Sequence, residues 1–248
     1  MSLFGQMMDW LGDPANWSGT NGVPARVLEH LSISFTAVAI GIVIALPIGL
    51  AIGHTGRGRL FAVSVANLGR AVPSFAILSI AFQVVLSFAP ELAFGFVPTV
   101  IALTLLAIPP ILTNTYVGVE EVDAEMVEAA HGVGMTGSQV LRKLELPLAI
   151  PLILAGLRTA AVQVVATATL AALIAGGGLG RYIVDGFAQG DEGMLLAGAV
   201  LVAVLAILTE VIFGGIQRVL TPRNVSRPTK GRTPTELSPV PPAWPVTS

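Results

Sequence analysis

Residues 31–53, LSISFTAVAIGIVIALPIGLAIG, form an uninterrupted apolar stretch without a charged side chain. A helix needs about 20 such residues to cross the hydrocarbon core of a bilayer, so this stretch predicts a transmembrane helix. The whole 248-residue chain has a matching composition, with 54% hydrophobic and only 11% charged residues. Soluble domains carry about 25% charge, so the composition indicates a polytopic membrane protein. It excludes a soluble nucleic-acid binder, a disordered chain and a typical cytoplasmic enzyme.

Four more apolar stretches follow along the chain. Residues 60–88 are interrupted by Arg70 and Pro73, and for this length we favour one kinked, tilted helix over two short pieces. The remaining stretches are residues 96–119, 147–174 and 194–219. Together the stretches predict an all-α, polytopic membrane protein with five core transmembrane helices.

The two ends of the chain differ from this apolar middle part. We expect residues 1–30 to form an extracytoplasmic, interfacial segment. Residues 221–248 contain seven prolines and predict a disordered cytoplasmic tail. The transmembrane domain therefore extends over residues 31–220.

The basic residues predict the orientation in the membrane. Nine of them would share one side, namely Arg57, Arg59, Arg142, Lys143, Arg218, Arg223, Arg227, Lys230 and Arg232. Only Arg26 and Arg181 would lie on the other side. Because cytoplasmic loops are enriched in lysine and arginine, the N-terminus is predicted to lie outside and the C-terminus in the cytoplasm.

The longest polar loop within the bundle covers residues 120–147, EEVDAEMVEAAHGVGMTGSQVLRKLELP. Asp123 is a suitable N-cap and Gly132 a suitable C-cap for a short helix. Thr136 and Gln139 have the capping-box spacing and predict the start of a second short helix. Pro147 would then lie in the first turn of the next span. The loop thus predicts a helical hairpin at the cytoplasmic surface.

The spacing of this loop resembles the EAA loop in the permease subunits of ABC importers. That motif reads E-A-A, three residues, G, nine residues, I, one residue, L-P. Leucine stands here in place of the usual isoleucine, a volume-conserving change. In the family, this loop is the coupling helix that docks on the nucleotide-binding subunit. The residues that match the motif are Glu128, Ala129, Ala130, Gly134, Leu144, Leu146 and Pro147.

Four stretches, residues 69–82, 106–136, 142–162 and 166–180, are similar to the osmoprotectant-uptake permeases within that family. Those permeases move glycine betaine, choline, carnitine or proline betaine. The resemblance covers about residues 30–220 and implies a fold of the methionine-permease type in a bacterial inner membrane. Two alternatives are an ABC permease for another small solute, such as an amino acid, and an ATP-independent secondary transporter.

The resemblance also implies the partners of the chain. They are two ATP-binding subunits, a second permease subunit that is identical or paralogous, an extracytoplasmic substrate-binding protein and the membrane lipid. No nucleic-acid partner is expected.

Sites for catalysis and cofactors are not expected in this chain. The only lysines, Lys143 and Lys230, are not preceded by glycine, so a phosphate-binding loop cannot form. ATP and magnesium would therefore be bound by the partner ATPase, and the chain itself would not be an enzyme. The histidines, His30, His54 and His131, lie in three different regions and predict no metal site.

Several residues within or beside the spans are candidates for the solute pathway or its gate. An arginine at membrane depth must face protein or water, so Arg158 lines a pathway or pairs with a structural partner such as Glu210. Prolines and small polar residues weaken helices at a gate or at a packing kink. The glycine-rich residues 176–180 predict a gate turn on the outer side. The candidates are Arg70, Pro73, Ser74, Pro109, Pro110, Asn114, Arg158, Gly177, Gly178 and Gly180.

Overall fold

The computed structural model describes residues 2–221, apart from the side chains of Leu68 and Arg70. Within that range, the regular secondary structure is entirely helical, as predicted. The α-helices are α1 (Leu3–Gly12), α2 (Val23–Thr55), α3 (Arg59–Ala71), α4 (Ser74–Phe88), α5 (Phe96–Glu120), α6 (Ala124–Gly132), α7 (Gly137–Val140), α8 (Leu146–Thr167), α9 (Gly180–Gln189) and α10 (Glu192–Leu220). The predicted tail lies outside the described residues, except for Thr221.

Four helices of the described part are long and apolar enough to cross a membrane: Val23–Thr55, Phe96–Glu120, Gly137–Ile174 and Glu192–Leu220. The first begins well before residue 31, because Pro24 occupies its first turn after the N-cap residue Gly22. The predicted third and fifth spans agree with α5 and α10 to within about two residues, the usual uncertainty of helix ends.

The predicted second span, residues 60–88, is not one kinked helix, so this prediction was wrong. It consists of α3 and α4, which are separated at Val72 and Pro73. Proline lacks an N–H and disfavours the helical conformation of the preceding residue, so α3 ends before it and α4 begins after it. The 15-residue α4 is a shorter apolar helix. A total of five transmembrane helices therefore stays a prediction.

Helix α5 lies at the centre of the bundle, between α2 and α8. Small residues allow these helices to approach closely. A Cβ atom on Gly49 of α2 would fall 2.7 Å from the Thr115 Cβ of α5, and one on Gly156 of α8 would fall 2.6 Å from the Asn114 Cβ. The position of α5 therefore depends on backbone contact on two sides.

The helix that contains α8 is longer than the predicted fourth span. Helix α7, a π turn at Leu141–Glu145, α8 and a 3-10 segment at Ala168–Ile174 follow without a break. The helix predicted to begin at the Thr136–Gln139 capping box is confirmed, since the Thr136 N–H donates to the Gln139 amide oxygen at 2.9 Å. It is an extension of this span and not a separate short helix, which corrects that part of the prediction. The π turn closes with a bond from the Leu146 N–H to the Leu141 carbonyl, directly before Pro147, which has no N–H to donate.

We call the end of the bundle that carries α6, α7 and the last turns of α2 and α5 the hairpin end. The opposite end carries residues 175–180 and the first turns of α2 and α10, and we call it the glycine-loop end.

Candidate functional site

The turn after α6 has the geometry that the motif spacing suggests. The Asp123 carboxylate accepts a bond from the Glu125 N–H at 2.9 Å, which confirms the predicted N-cap. Gly134 has a φ of +87°, whereas Gly132 is the last helical residue and lacks a positive φ, so the predicted C-cap at Gly132 was wrong. Nothing lies within 4 Å of a Cβ built on Gly134. Glycine is thus required there by the backbone conformation and not by lack of space.

Helix α6 projects away from the bundle, and none of its residues is buried. Glu128 and Ala129 are exposed, and Ala130 is half-buried. Glu128 takes no part in the five ion pairs formed among the described side chains. An uncovered small-residue face with an acidic group is suited to contact with another protein.

The second half of the motif lies at the root of the hairpin. Leu144 and Leu146 are half-buried, and Pro147 is exposed. Leu146 packs on a small apolar cluster that contains Val119 and Ile153. The motif therefore has a projecting part on α6 and an anchored part at the start of α8.

A groove of about 410 Å³ separates α6 from the bundle. Its lining includes three acidic residues, Glu120, Glu128 and Glu145. Close to it, His54 Nδ1 on α2 and the Glu145 carboxylate are 2.6 Å apart. This pair was not predicted from the sequence, although Glu145 lies between the two leucines of the motif.

A polar cavity of about 130 Å³ lies between α3, α5 and α8. Its lining residues are Ala66, Gly69, Leu106, Pro109, Pro110, Thr113, Asn114, Thr159 and Gln163. Three of the predicted gate residues, Pro109, Pro110 and Asn114, are thus brought together. Thr159 and Gln163 were missed, although two polar residues four positions apart in an apolar span are a usable signal.

The two adjacent prolines add to the polarity of the cavity, beside the polar side chains that line it. They cannot donate to the carbonyls four residues earlier, so the carbonyls of Leu105 and Leu106 lose their helical partners. The Asn114 amide donates to the Pro110 carbonyl at 2.8 Å. The Thr113 hydroxyl is buried without a partner among the described residues. Such groups are tolerated in a membrane where a water-filled space receives them.

The other gate candidates with described side chains do not line this cavity. Ser74, which directly follows Pro73, lines a much smaller void together with Thr167 and Leu106, and Leu106 also borders the polar cavity. Arg70 lies in α3, and its side chain is outside the described part of the structure.

Arg158 does not line the polar cavity. It forms an ion pair with Glu210 of α10 and donates to the Gln217 amide oxygen at 3.4 Å. Gln217 in turn donates to the Pro151 carbonyl at 3.1 Å. This network favours the structural interpretation of Arg158 over the pathway interpretation.

The glycine-rich segment is closely packed at the glycine-loop end. The Gly178 N–H donates to the Glu29 carboxylate at 2.8 Å, and Arg26 binds the same oxygen at 2.8 Å. A Cβ on Gly177 would overlap the Glu29 carboxylate, and one on Gly180 would overlap the Thr169 carbonyl. These glycines are required for close contact between segments, and Gly178 also has a φ of +89°.

Long apolar helices, a polar cavity among them and a projecting hairpin together describe a subunit of a membrane transport system. The chain belongs to the family described as binding-protein-dependent transport system inner membrane component, whose profile matches residues 37–226. This confirms the family predicted from the EAA motif. The chain is thus a component of a multi-pass inner-membrane transporter and not an enzyme, and ATP hydrolysis is carried out by a separate subunit.

Curated relatives extend over most of the chain. The glycine betaine/carnitine/choline transport system permease protein OpuCB of Bacillus subtilis is 39% identical over 79% of this chain and 88% of the relative. The choline transport system permease protein OpuBB of the same organism is 37% identical over 82% of this chain and 90% of the relative. The osmoprotectant import permease protein OsmW of Salmonella typhimurium is 32% identical over 79% of this chain and 91% of the relative.

A solved structure supports the fold. A chain of the MetNI methionine ABC transporter in an inward-facing conformation superposes with a TM-score of 0.67. The match covers 81% of this chain and 96% of that chain at 24% identity. At this identity, the similarity shows the fold alone, which is the methionine-permease type expected from the sequence.

Proposed function

We propose that this chain forms the translocation path of an ATP-driven importer for compatible solutes of the glycine betaine, choline, carnitine or proline type. The observation that carries the proposal is the continuous helix from Gly137 to Ile174. It begins in the projecting hairpin and carries Thr159 and Gln163, which line the polar cavity. One continuous element therefore joins the predicted ATPase contact to the candidate pathway.

The dimensions of that helix support coupling over a distance. From Gly137 to Gln163, an α-helical rise gives about 39 Å, which exceeds the hydrocarbon thickness of a bilayer. A displacement of the hairpin would move the cavity wall formed by Thr159 and Gln163 relative to Asn114 of α5. Closure of the ATPase subunits would thereby open or close the polar cavity.

The solute class rests on the relatives that share 37–39% identity, which are named for glycine betaine, carnitine and choline transport. The methionine transporter shares only the fold, so an amino acid is the second candidate solute. Quaternary ammonium groups favour tryptophan and tyrosine cages. Trp10 and Trp17 lie outside the four membrane-span candidates, and Tyr116 is buried. Capture of the solute by a separate binding protein is consistent with that distribution.

The proposed assembly contains two ATP-binding subunits on the hairpin end and a second permease subunit, identical or paralogous. A substrate-binding protein would dock at the glycine-loop end, and ATP and magnesium would be bound by the ATPase. The N-terminus would lie outside and the C-terminus in the cytoplasm. Arg59, Arg142, Lys143 and Arg218, all at the hairpin end, support this orientation. The exposed part of the EAA motif on α6, Glu128 and Ala129, argues against an ATP-independent transporter.

Reconstitution tests the proposal. The chain is assembled with its permease, ATPase and binding-protein partners in proteoliposomes, and uptake of radiolabelled glycine betaine, choline, carnitine, proline and methionine is measured with and without ATP. We expect ATP-dependent uptake of one or more quaternary ammonium solutes. Uptake of methionine alone would support the amino-acid alternative, and uptake without ATP would contradict the importer assignment.

A further inference from the structure

We propose that the contact between His54 and Glu145 positions the coupling hairpin against α2. The π turn then transmits the movement of the hairpin to α8 and does not bend. We call this pair the His54–Glu145 latch. The inference rests on the proposed coupling function of the hairpin, and it assigns a positioning role to a residue outside the EAA motif.

The latch joins two elements that are distant in the chain. His54 lies in the last turn of α2, and Glu145 is the final residue of the π turn. His54 Nδ1 donates to the Glu145 carboxylate at 2.6 Å, across a separation of 91 residues. Only 5% of Glu145 is exposed. A charge-assisted bond of this length at a buried carboxylate is a strong and directional contact.

The same histidine also contacts the beginning of α7. A Cβ built on Gly137 would fall 3.3 Å from His54 Nε2, so the imidazole ring lies directly against that glycine. One side chain of α2 therefore contacts the first residue of α7 and the last residue of the π turn. The segment between these two contacts is held against α2 at both of its ends.

The position of the latch matters because a π turn interrupts the regular helical bonding. Such turns occur frequently at functional sites and are natural places for a helix to bend. Helix α6 has no buried residue, so its position is set by the root of the hairpin. Without the latch, a force on α6 and α7 would bend the chain at Leu141–Glu145. With the latch, the force reaches α8 and the cavity residues Thr159 and Gln163.

The burial of Glu145 allows the positioning role to be separated from simple stabilisation. Removal of His54 alone leaves a buried carboxylate without its partner, which destabilises the fold. Removal of both groups is often close to neutral for folding. A purely structural pair would therefore recover all properties in the double variant, whereas a latch would recover folding but not coupling.

The test uses the assembled importer with the variants His54→Ala, Glu145→Ala, both together, and His54→Asn. Folded yield, retention of the ATPase and solute uptake per ATP hydrolysed are measured for each. We expect the double variant to recover yield and ATPase binding, while uptake per ATP stays about fivefold or more below wild type, as for the loss of energetic coupling between two sites. His54→Asn should keep most of the coupling, because its amide nitrogen can replace Nδ1 as the donor.

The ion pair of Arg59 and Glu120 provides a matched control at the same end of the bundle. Its atoms are 2.9 Å apart, but both side chains are well exposed. The variant Arg59→Ala breaks this pair outside the EAA loop and should leave uptake per ATP unchanged. Wild-type coupling in the His54→Ala, Glu145→Ala double variant would overturn the latch, as would an equal loss in the Arg59→Ala control. Absence of ATP-driven uptake by the wild-type importer would instead overturn the proposed function.

Discussion

Arg158 of α8 and Glu210 of α10 form an ion pair that joins two long apolar helices. The pair is part of a chain of contacts that continues through Gln217 to the Pro151 carbonyl. Their side chains are 37% and 41% exposed in the isolated chain. Since charged groups at membrane depth must face protein or water, this part of the surface is unsuited to direct contact with acyl chains.

The pair leads to a prediction about folding. Arg158→Gln or Glu210→Gln alone leaves one charge without its partner in an apolar span, and each should reduce the yield of monodisperse protein in detergent. The double variant should recover most of that yield. A double variant as poor as the two single variants combined would show that the ion pair does not stabilise the fold.

The turn after α6 gives a prediction with a close control. Gly134 has a φ of +87° and Gly132 does not have a positive φ, while both have open space around a built Cβ. Gly134→Ala should strain the turn by about 1–2 kcal/mol and reduce ATPase pull-down and uptake. Gly132→Ala should retain both, because an alanine is well suited to the end of a helix. Equal behaviour of the two variants would contradict the requirement for this turn.

The close approach of α5 and α8 predicts an effect on stability. Gly156→Ala would place a Cβ 2.6 Å from the Asn114 Cβ, so the unfolding free energy should fall by about 1–3 kcal/mol. A Cβ on Gly215 of α10 would have no atom within 4 Å, so Gly215→Ala should not lower the unfolding free energy. Thermal unfolding in detergent compares the two, and an unchanged Tm for Gly156→Ala would indicate that the helices separate easily.

A substitution in the lining of the polar cavity should reduce transport without reducing assembly with the ATPase. Thr159→Val removes a hydroxyl from the cavity lining and should lower solute uptake while ATPase binding is retained. Thr36 on α2 is a matched control, since each hydroxyl donates to the carbonyl four residues earlier, at 2.8 Å for Thr36 and 3.0 Å for Thr159. Thr36→Val should transport normally. A similar loss in both variants would mean that the helix-bonded hydroxyl matters and the cavity does not.

The proposed orientation can be measured directly because the chain contains no cysteine. Ser138 at the hairpin end and Ser18 near the glycine-loop end are both exposed. We expect an impermeant thiol reagent to label Ser18→Cys in intact cells and Ser138→Cys only after permeabilisation. The opposite pattern would reverse the orientation inferred from the basic residues.

The predictions that agreed with the structure depend on neighbouring residues. The limits of α5 and α10 follow from composition, and the cap at Asp123 from residues two or three positions apart. The break at Pro73 was read as a kink, because the sequence does not show whether tertiary contacts keep a helix intact across a proline. The continuous helix from α7 into α8 was missed for the same reason. Pro147 was compatible both with the start of a new helix and with the continuation of the preceding one.

The sequence by itself determined that this chain is a helical membrane protein and, through the spacing of residues 128–147, which family it belongs to. The length of an apolar stretch and the spacing of a motif are local properties, so both can be recognised in a single sequence. The tertiary structure alone decided the polar cavity, the choice of the Arg158–Glu210 pair over the pathway lining that the sequence left open, and the His54–Glu145 contact. The two pairs join residues 52 and 91 positions apart, and no local preference specifies which helices become neighbours. That choice depends on the close packing of α2, α5 and α8 at their small residues.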